Sequence, residues 1–354
     1  MRSLREEALG DDQEIRRLIA ISKSKRLASV LGPGLFAYER KLQKENHTLL
    51  QFKNGFVRFV LRRAGMMDFT NYPLSNKAYG GSEKKVGILI HQSPYMLKFQ
   101  KKTPFGGRYN TVSEYIGSHV YQMLGFPCQD TYLGTYKGEN VVACKDFITD
   151  GVQFVPFNDV GESTIDEDKE HYQYSYEDIM ALLHANKKLT NVPETISSFF
   201  EMYIVDALLG NFDRHGGNWG FLKKNNQYYL APVFDNGSCL FPNMTDEDEM
   251  KKIMDDEEQI NLRVYRFPTS QIKLEGNKSS YFEVISSLRF EEMNRALIQV
   301  FPHIDLGKIF DLIDEIDTIS EVHKSFYKTM LSHRYEKILK YSYIKLMGEK
   351  NENL

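Results

Sequence analysis

Between Ile196 and Leu209, the residues Ile196, Phe199, Phe200, Tyr203, Ile204, Ala207 and Leu208 recur at i, i+3, i+4 and i+7. That period defines a helix with a broad apolar face. Such a helix has to be packed against a core, so the chain folds around it. The next segment narrows the choice further: Leu209 runs directly into Gly210-Asn211-Phe212-Asp213-Arg214-His215-Gly216-Gly217-Asn218-Trp219-Gly220, a loop rich in glycine and polar side chains.

Asp213 and Asn218 lie five positions apart on this loop. A carboxylate and an amide at that spacing can face an attacking hydroxyl and a magnesium ion, the division of labour of kinase catalytic loops. Asp235, in Ala231-Pro232-Val233-Phe234-Asp235-Asn236-Gly237, follows Asp213 by 22 positions, at a predicted strand end before a turn. A hard oxygen donor there suits a second magnesium ligand. Alone, the Asp–Asn pair reads as an Asx turn and Asp-Asn-Gly as a hairpin turn. In this order, delivered by an apolar helix, the functional reading prevails.

The pattern upstream is β-rich. Val86–Ile90 and Tyr95–Phe99 predict a hairpin, with Tyr95, Leu97 and Phe99 on one face and Met96 and Lys98 on the other. A helix is predicted over 112–124, with strands over 131–136 and 140–147. Glu114 follows Lys98 by 16 positions, compatible with a strand-lysine to helix-glutamate ion pair; a solvated lysine and a helix-capping glutamate are the bland alternatives. Tyr79-Gly80-Gly81-Ser82-Glu83-Lys84 could bring backbone N–H groups to phosphates, or be a plain hairpin loop. Past Asp150 the pattern turns helical, at 174–186, 281–301, 305–316 and 320–347. The fold class is therefore α+β, with a β-rich first lobe over 66–150 and a helical second lobe over 151–354.

Residues 1–65 carry 14 Lys and Arg against 7 Asp and Glu, and the remainder 31 against 41. An acidic main body argues against nucleic-acid binding by that body. The basic segment reads as an accessory helical unit, a disordered tail, or a start codon placed too early, since Arg62-Arg63-Ala64-Gly65-Met66-Met67 is what translation through a ribosome-binding sequence would yield. No stretch is long and apolar enough to span a bilayer, and the three cysteines show no pairing pattern. A reducing, cytoplasmic setting is the default, with secretion as an effector the alternative. His215 has no His or Cys partner at metal-ligand spacing and reads as a loop-ordering residue of the nucleotide site. Trp219, the only tryptophan, reads as a packing anchor. The run Asp246–Glu258, with eight acidic residues and two lysines, reads as a solvated mobile loop, or more sharply as an attractor of basic protein substrates.

These motifs, from Tyr79–Lys84 through Met96-Leu97-Lys98-Phe99, Ser113-Glu114-Tyr115, Ala143-Cys144-Lys145-Asp146-Phe147, Leu208–Leu222 and Ala231–Leu240 to Asn261–Pro268, resemble the HipA-like serine/threonine kinases of bacteria. The likeness is to the compact cell-translocating type that lacks the family's N-terminal subdomain. The resemblance implies a two-lobed protein-kinase-like fold and ATP and Mg2+ as cofactors. It implies that Lys98 holds the α- and β-phosphates, Asp213 is the catalytic base, and Asn218 and Asp235 bind metal. It also implies that Ala143–Phe147, with Ala143, Lys145 and Phe147, forms the hinge that receives adenine, and it agrees with the reading of Gly80, Gly81, Ser82, Glu83 and Lys84 as a turn over the phosphates. Two departures matter. Lys77-Ala78-Tyr79 stands where larger members carry a regulatory serine, and residues 1–65 show no evident counterpart of the subdomain, which leaves an antitoxin-like partner possible but weakly supported.

The expectation is thus a protein serine/threonine kinase acting on a protein hydroxyl. A phosphoinositide-type lipid kinase is the rival suggested by Asp213-Arg214-His215-Gly216-Gly217-Asn218, but the acidic segment after Asp235 would be repelled by anionic lipid. A pseudokinase scaffold would lack a base, lysine or metal ligand, and none is missing.

Overall fold

The computed structural model describes residues 66–80, 84–103, 106–148, 150–160, 175–185, 189 and 191–352, within one compact unit, Met66–Leu354. The basic segment 1–65 and Gly81, Ser82 and Glu83 lie outside the described residues.

Strands β1 (Met67–Asp68), β2 (Lys85–Ile90) and β3 (Ser93–Phe99) come first. The two-residue strands β4 (Lys102–Thr103) and β5 (Gly106–Gly107), helix α1 (Asn110–Met123), β6 (Thr131–Tyr136) and β7 (Glu139–Lys145) come next. They form a five-stranded sheet in the order β1-β6-β7-β3-β2, with β1 parallel to β6 and the rest antiparallel, while β4 and β5 pair separately. His91 and Gln92, at φ 47° and 63°, make the two-residue β2–β3 turn, the left-handed pair that matches the twist of a hairpin. Alternation along β3 then divides its side chains. Tyr95, Leu97 and Phe99 join Phe69, Ile88 and Ile90 in a small core on one face. Met96 faces the other way, against the larger core that contains α1.

The second lobe begins with β8 (Gln153–Pro156), α2 (Phe157–Val160), α3 (Tyr176–Ala185) and α4 (Val192–Leu209). Strands β9 (Gly220–Lys224) and β10 (Gln227–Leu230) complete a three-stranded antiparallel sheet with β8, in which β9 is central. Then come α5 (Glu247–Met254), α6 (Glu257–Asn261), the hairpin β11 (Thr269–Leu274) and β12 (Asn277–Ser280), α7 (Tyr281–Ser286), α8 (Glu291–Val300), α9 (Leu306–Asp314), α10 (Glu321–Arg334) and α11 (Tyr341–Glu352). The result is the mixed two-lobed α+β architecture, a curled sheet followed by a helical body.

α4 is the centre of this body. Asn191 caps it, its Oδ1 accepting the Glu194 N–H at 3.2 Å, and Gly210 ends it in the left-handed region at φ 62°. Ile204, Leu208 and Leu209 are fully buried on it. Three predicted elements differ. The single helix predicted over 281–301 is two, because Leu288 turns left-handed at φ 55° and the Asn294 side chain binds its carbonyl at 2.9 Å. The helix over 320–347 is interrupted by a π-helical stretch, Tyr335–Lys340. The run 246–258 is not a loop: Asp246 and Asp256 cap α5 and α6, each accepting two backbone N–H groups, and Met250 and Ile253 bury one face of α5. The acidic count hid two N-caps and an i, i+3 anchor.

Candidate active site

The loop after α4 is held from beneath by a buried polar network. Asp206, one turn before the helix ends, is 1% exposed. Its carboxylate accepts from Tyr121 Oη at 2.8 Å, Asn211 Nδ2 at 2.9 Å and Arg214 Nε at 2.9 Å. Arg214 points inward. Its Nη1 donates to the Asn218 carbonyl at 3.0 Å and the Phe234 carbonyl at 2.5 Å, and its Nη2 to Asn236 Oδ1 at 2.6 Å. One planar guanidinium thereby ties the loop after α4 to Asp206 on that helix and to the turn that carries Asp235. Burial works against its charge, but Asp206 and Tyr121 hold its pKa well above the usual value.

Asp213, beside Arg214 in sequence, faces outward and is half-exposed. Asn211 Oδ1 accepts its N–H at 3.1 Å, and its carbonyl accepts Asn218 Nδ2 at 2.6 Å. The second bond orients the Asn218 amide and leaves its Oδ1 without a hydrogen bond among the described residues. His215 Nδ1 accepts the Gly217 N–H at 3.0 Å, which assigns the proton to Nε2, 3.9 Å from Asp213 Oδ1. That geometry orders the loop. Trp219 anchors it, stacked on Phe157 with ring centres 4.1 Å apart.

Across the cleft, Lys98 on β3 gathers two carboxylates. Its Nζ lies 2.7 Å from Glu114 Oε2 and 2.9 Å from Asp235 Oδ1. Glu114 Oε1 accepts the Asn236 N–H at 2.9 Å, so α1 and the Asp235 turn are joined directly. The approach is close: a Cβ on Gly117 would sit 2.6 Å from Asn236 Cβ. Asp235 itself adopts φ 58°, a strained geometry for a non-glycine residue, held by its neighbours.

These neighbours set opposite proton affinities on the two aspartates. Partial burial raises Asp213; His215 opposes this, and the nearby charge of Asp235 adds to it. Burial would also raise Asp235, but the Lys98 ammonium, its hydrogen bond and Arg214 hold it below the ordinary carboxylate range. Lys98 stays charged, because Asp235 and Glu114 outweigh its own burial. A carboxylate with raised affinity facing the opening and one with lowered affinity beside a lysine are suited to proton transfer and to cation binding respectively.

Other predicted site residues lie elsewhere. Lys84 reaches Glu139 Oε1 at 2.5 Å over the Phe99 ring, on the outer part of the sheet. Ala143 belongs to the small core on the far face. Lys145 donates its N–H to the Asp130 carbonyl and accepts Gln129 Nε2 on its own carbonyl, both at 2.8 Å, so its backbone is already engaged. Phe147 does face the junction, in a ring cluster with Phe154 and with Phe234, the residue before Asp235. Gly80 has open space where a Cβ would be, and its carbonyl accepts Lys85 Nζ at 2.6 Å. Tyr79 Oη and Lys77 Nζ bind Asp146 at 3.1 and 2.8 Å, tying the base of the glycine turn to the segment after β7. Asp206 and Tyr121 are members of the site that lie outside the motifs, and Asn236, though within one, has its place set by Arg214 and Glu114. The one signal for them is an aspartate placed among the apolar residues of α4.

A sheet lobe and a helical lobe that meet at a lysine, a glutamate and an aspartate, with a second aspartate opposite, define a kinase-like phosphotransferase. The chain belongs to the HipA-like C-terminal domain family, whose profile matches residues 78–300. It is 35% identical over 283 residues to the serine/threonine-protein kinase CtkA of Helicobacter pylori strain J99, covering 77% of this chain and 86% of that protein. The crystal structure of the H. pylori proinflammatory kinase CtkA superposes with a TM-score of 0.72 at 32% identity, over 80% of this chain and 99% of that one. A HipA–HipB–operator DNA complex of Shewanella oneidensis MR-1 matches at a TM-score of 0.43 and 14% identity, over 76% and 66% of the two chains. The chain is a HipA-like kinase, and kinase homology brings with it ATP, a divalent metal and a protein substrate. No helix among the described residues is long and apolar enough to cross a membrane.

Proposed function

We propose that the chain transfers the γ-phosphoryl group of ATP to a serine or threonine hydroxyl of a protein, with Mg2+ as the metal and Asp213 as the base. The observation that carries this reading is Lys98 Nζ held at 2.7 Å from Glu114 and 2.9 Å from Asp235, the strand-lysine arrangement that cradles nucleotide phosphates. The donors fit the metal. Asn218 offers an oriented amide oxygen and Asp235 an ionised carboxylate, both hard oxygen ligands. Among the described residues no group of three or more His, Cys, Asp or Glu side chains is arranged to hold an ion. The magnesium, when bound, supplies neutralisation of charge developing on the phosphates.

The chain's own residues do the rest. Lys98 positions the α- and β-phosphates, and Glu114 keeps the lysine in place. Asp213 accepts the hydroxyl proton as the acceptor oxygen bonds to the γ-phosphorus and the bridging bond to the β-phosphate breaks, releasing ADP. Its raised proton affinity supports that role. Adenine would be received near Asp146 and Phe147 rather than at Lys145, whose backbone is spent within the protein. The test is phosphate incorporation from labelled ATP and Mg2+ by the purified protein beside Asp213→Asn. The variant should fold normally and lose at least about 10²-fold in rate; undiminished transfer refutes the mechanism. Similarity to a protein described as a proinflammatory kinase favours export as an effector over pairing with an antitoxin. Absence of the protein from culture medium during growth would count against export.

A further inference from the structure

Next to the base lies an aromatic surface that the phosphotransfer chemistry does not use. Phe212 immediately precedes Asp213, and its ring stacks on Phe267 with centres 6.2 Å apart and planes 28° from parallel. Phe267 is 46% exposed, and it is supported from behind by buried Phe241 at 6.0 Å. Leu262, 49% exposed, accepts the Phe267 N–H on its carbonyl at 3.1 Å, closing the turn that presents the ring. The shelf is rigidly built. Arg334, fully buried, donates from Nε to the Ala207 carbonyl at 2.7 Å and from Nη1 to the Arg263 carbonyl at 3.0 Å. One side chain therefore joins the end of α4, which leads to Phe212, to the segment that leads to Phe267.

The surroundings are acidic. The chain from Phe241 turns at Met244, whose N–H returns to the Phe241 carbonyl at 2.9 Å, and enters α5 through Asp246, Glu247, Asp248 and Glu249. Some of this charge is paired locally: Lys251 meets Asp248 at 3.0 Å and Arg263 meets Glu249 at 3.6 Å. Arg266, at the edge of the shelf, leans toward Glu283 at 3.9 Å. Further along the run Lys337 meets Glu257, so the acidic excess lies at the start of α5, where Asp246, Glu247, Asp248 and Glu249 face Lys251 and Arg263.

Resting on the kinase reading above, we propose that Phe212 and Phe267 form the acceptor-side subsite for a peptide segment of the protein substrate. That segment carries a bulky apolar residue one or two positions from the phosphorylated serine or threonine, and lysine or arginine further along to meet the first turn of α5. Distance fixes the first part. Successive residues of an extended segment are about 3.3–3.6 Å apart, and Phe212 and Asp213 are consecutive in the chain, so the residues flanking a hydroxyl at Asp213 are the ones within reach of the Phe212–Phe267 pair. Charge fixes the second, since an acidic flank attracts basic segments and repels acidic ones.

The test is phosphorylation of a peptide set by the full-length protein with ATP and Mg2+, ATP consumption being followed in the same reaction. The set varies the residues flanking one serine between Leu or Phe and Gly, and more distant ones between Arg and Glu. Peptides with both features should show kcat/KM about tenfold or more above those lacking the apolar residue, the scale of covering one apolar side chain. Phe267→Ala should collapse the Leu-to-Gly ratio while the Arg-to-Glu ratio persists. Glu247→Lys with Asp248→Lys should do the reverse, and because both readouts are ratios within one variant, a loss of folded protein does not mimic them. Equal rates across the set, or a Leu-to-Gly ratio that survives Phe267→Ala, overturns the proposal. So does ATP consumption with no peptide phosphorylated. Absence of any ATP consumption would instead sink the kinase reading, and anisotropy of the labelled peptides would then decide the shelf alone, with equal binding of all peptides refuting it.

Discussion

Replacing His323 by phenylalanine should remove much of the protein's sensitivity to mild acid. His323 is 1% exposed, and its ring lies 4.0 Å from that of Tyr109 and 4.5 Å from that of Tyr327. Neither ring nitrogen has a hydrogen-bond partner among the described residues. Burial alone pushes its pKa down to about 4 from 6.5. The sign comes from linkage: between those values the unfolded chain binds a proton that the folded one refuses, so stability falls as pH drops below about 6.5. At about 1.4 kcal/mol for each pH unit below that point, the penalty is about 2 kcal/mol at pH 5 and about 3 kcal/mol near pH 4. Against a total stability on the order of 5–15 kcal/mol this is a large share. Urea unfolding at pH 7 and pH 5, monitored by the fluorescence of Trp219, measures it. His323→Phe should be at least as stable as the parent at pH 7, since an aromatic ring replaces one with two unpaired polar atoms, and should exceed it by about 2 kcal/mol at pH 5. The same pH slope in both proteins would refute the argument.

Two further predictions concern the network beneath the loop. Arg214→Lys keeps the charge but cannot reproduce donors aimed at Asp206, Asn236 and the Asn218 and Phe234 carbonyls together. It should cost about 3 kcal/mol in stability and depress kcat, as read by urea unfolding and by the phosphotransfer assay. Gly117→Ala puts a methyl group against Asn236 Cβ, 2.6 Å away. It should destabilise by roughly 1–3 kcal/mol and weaken nucleotide binding by displacing Glu114, measured by thermal unfolding with and without ATP and Mg2+.

What the sequence disclosed depended on whether the signal was local. The period of 3.6 over 196–209 marked the central helix, although its start at Val192 is set by the Asn191 cap rather than by apolar spacing. The alternation over 95–99 placed Lys98 opposite the small core, and Asp213, Asn218 and Asp235 could be picked out because they share a short stretch of chain. Arg214 and Asn236 stand beside Asp213 and Asp235 in that stretch, but they turn inward toward Asp206 and Tyr121, which come from α4 and α1 and which no spacing rule announces. Gly117 was silent for the same reason: the side chain it must clear is Asn236, over a hundred residues later. The acidic run misled because charge count dominated the reading. Which aspartates cap and which apolar residues anchor decided the outcome. Leu288, which splits the predicted 281–301 helix, is itself no breaker; Ser287 before it, whose Oγ accepts the Arg289 N–H, and the Asn294 side chain that binds its carbonyl hold the turn.

The ion contact between Lys98 and Asp235 gives the two ligands of this kinase a thermodynamic relationship. On the proposed mechanism, in which Lys98 takes the phosphates and Asp235 the metal, the Nζ shared between Glu114 and Asp235 means that the protein's own aspartate stands where a phosphate would otherwise be welcomed, and its own lysine where a cation would. A metal drawing on Asp235 loosens that hold on Lys98, and a phosphate drawing on Lys98 loosens the hold on Asp235. Each ligand thus removes the competitor of the other, and linkage requires the effect to be equal in both directions. Metal and nucleotide are therefore expected to bind as mutual activators, each weak alone, so that the site passes from self-satisfied to loaded in a single concerted exchange of partners.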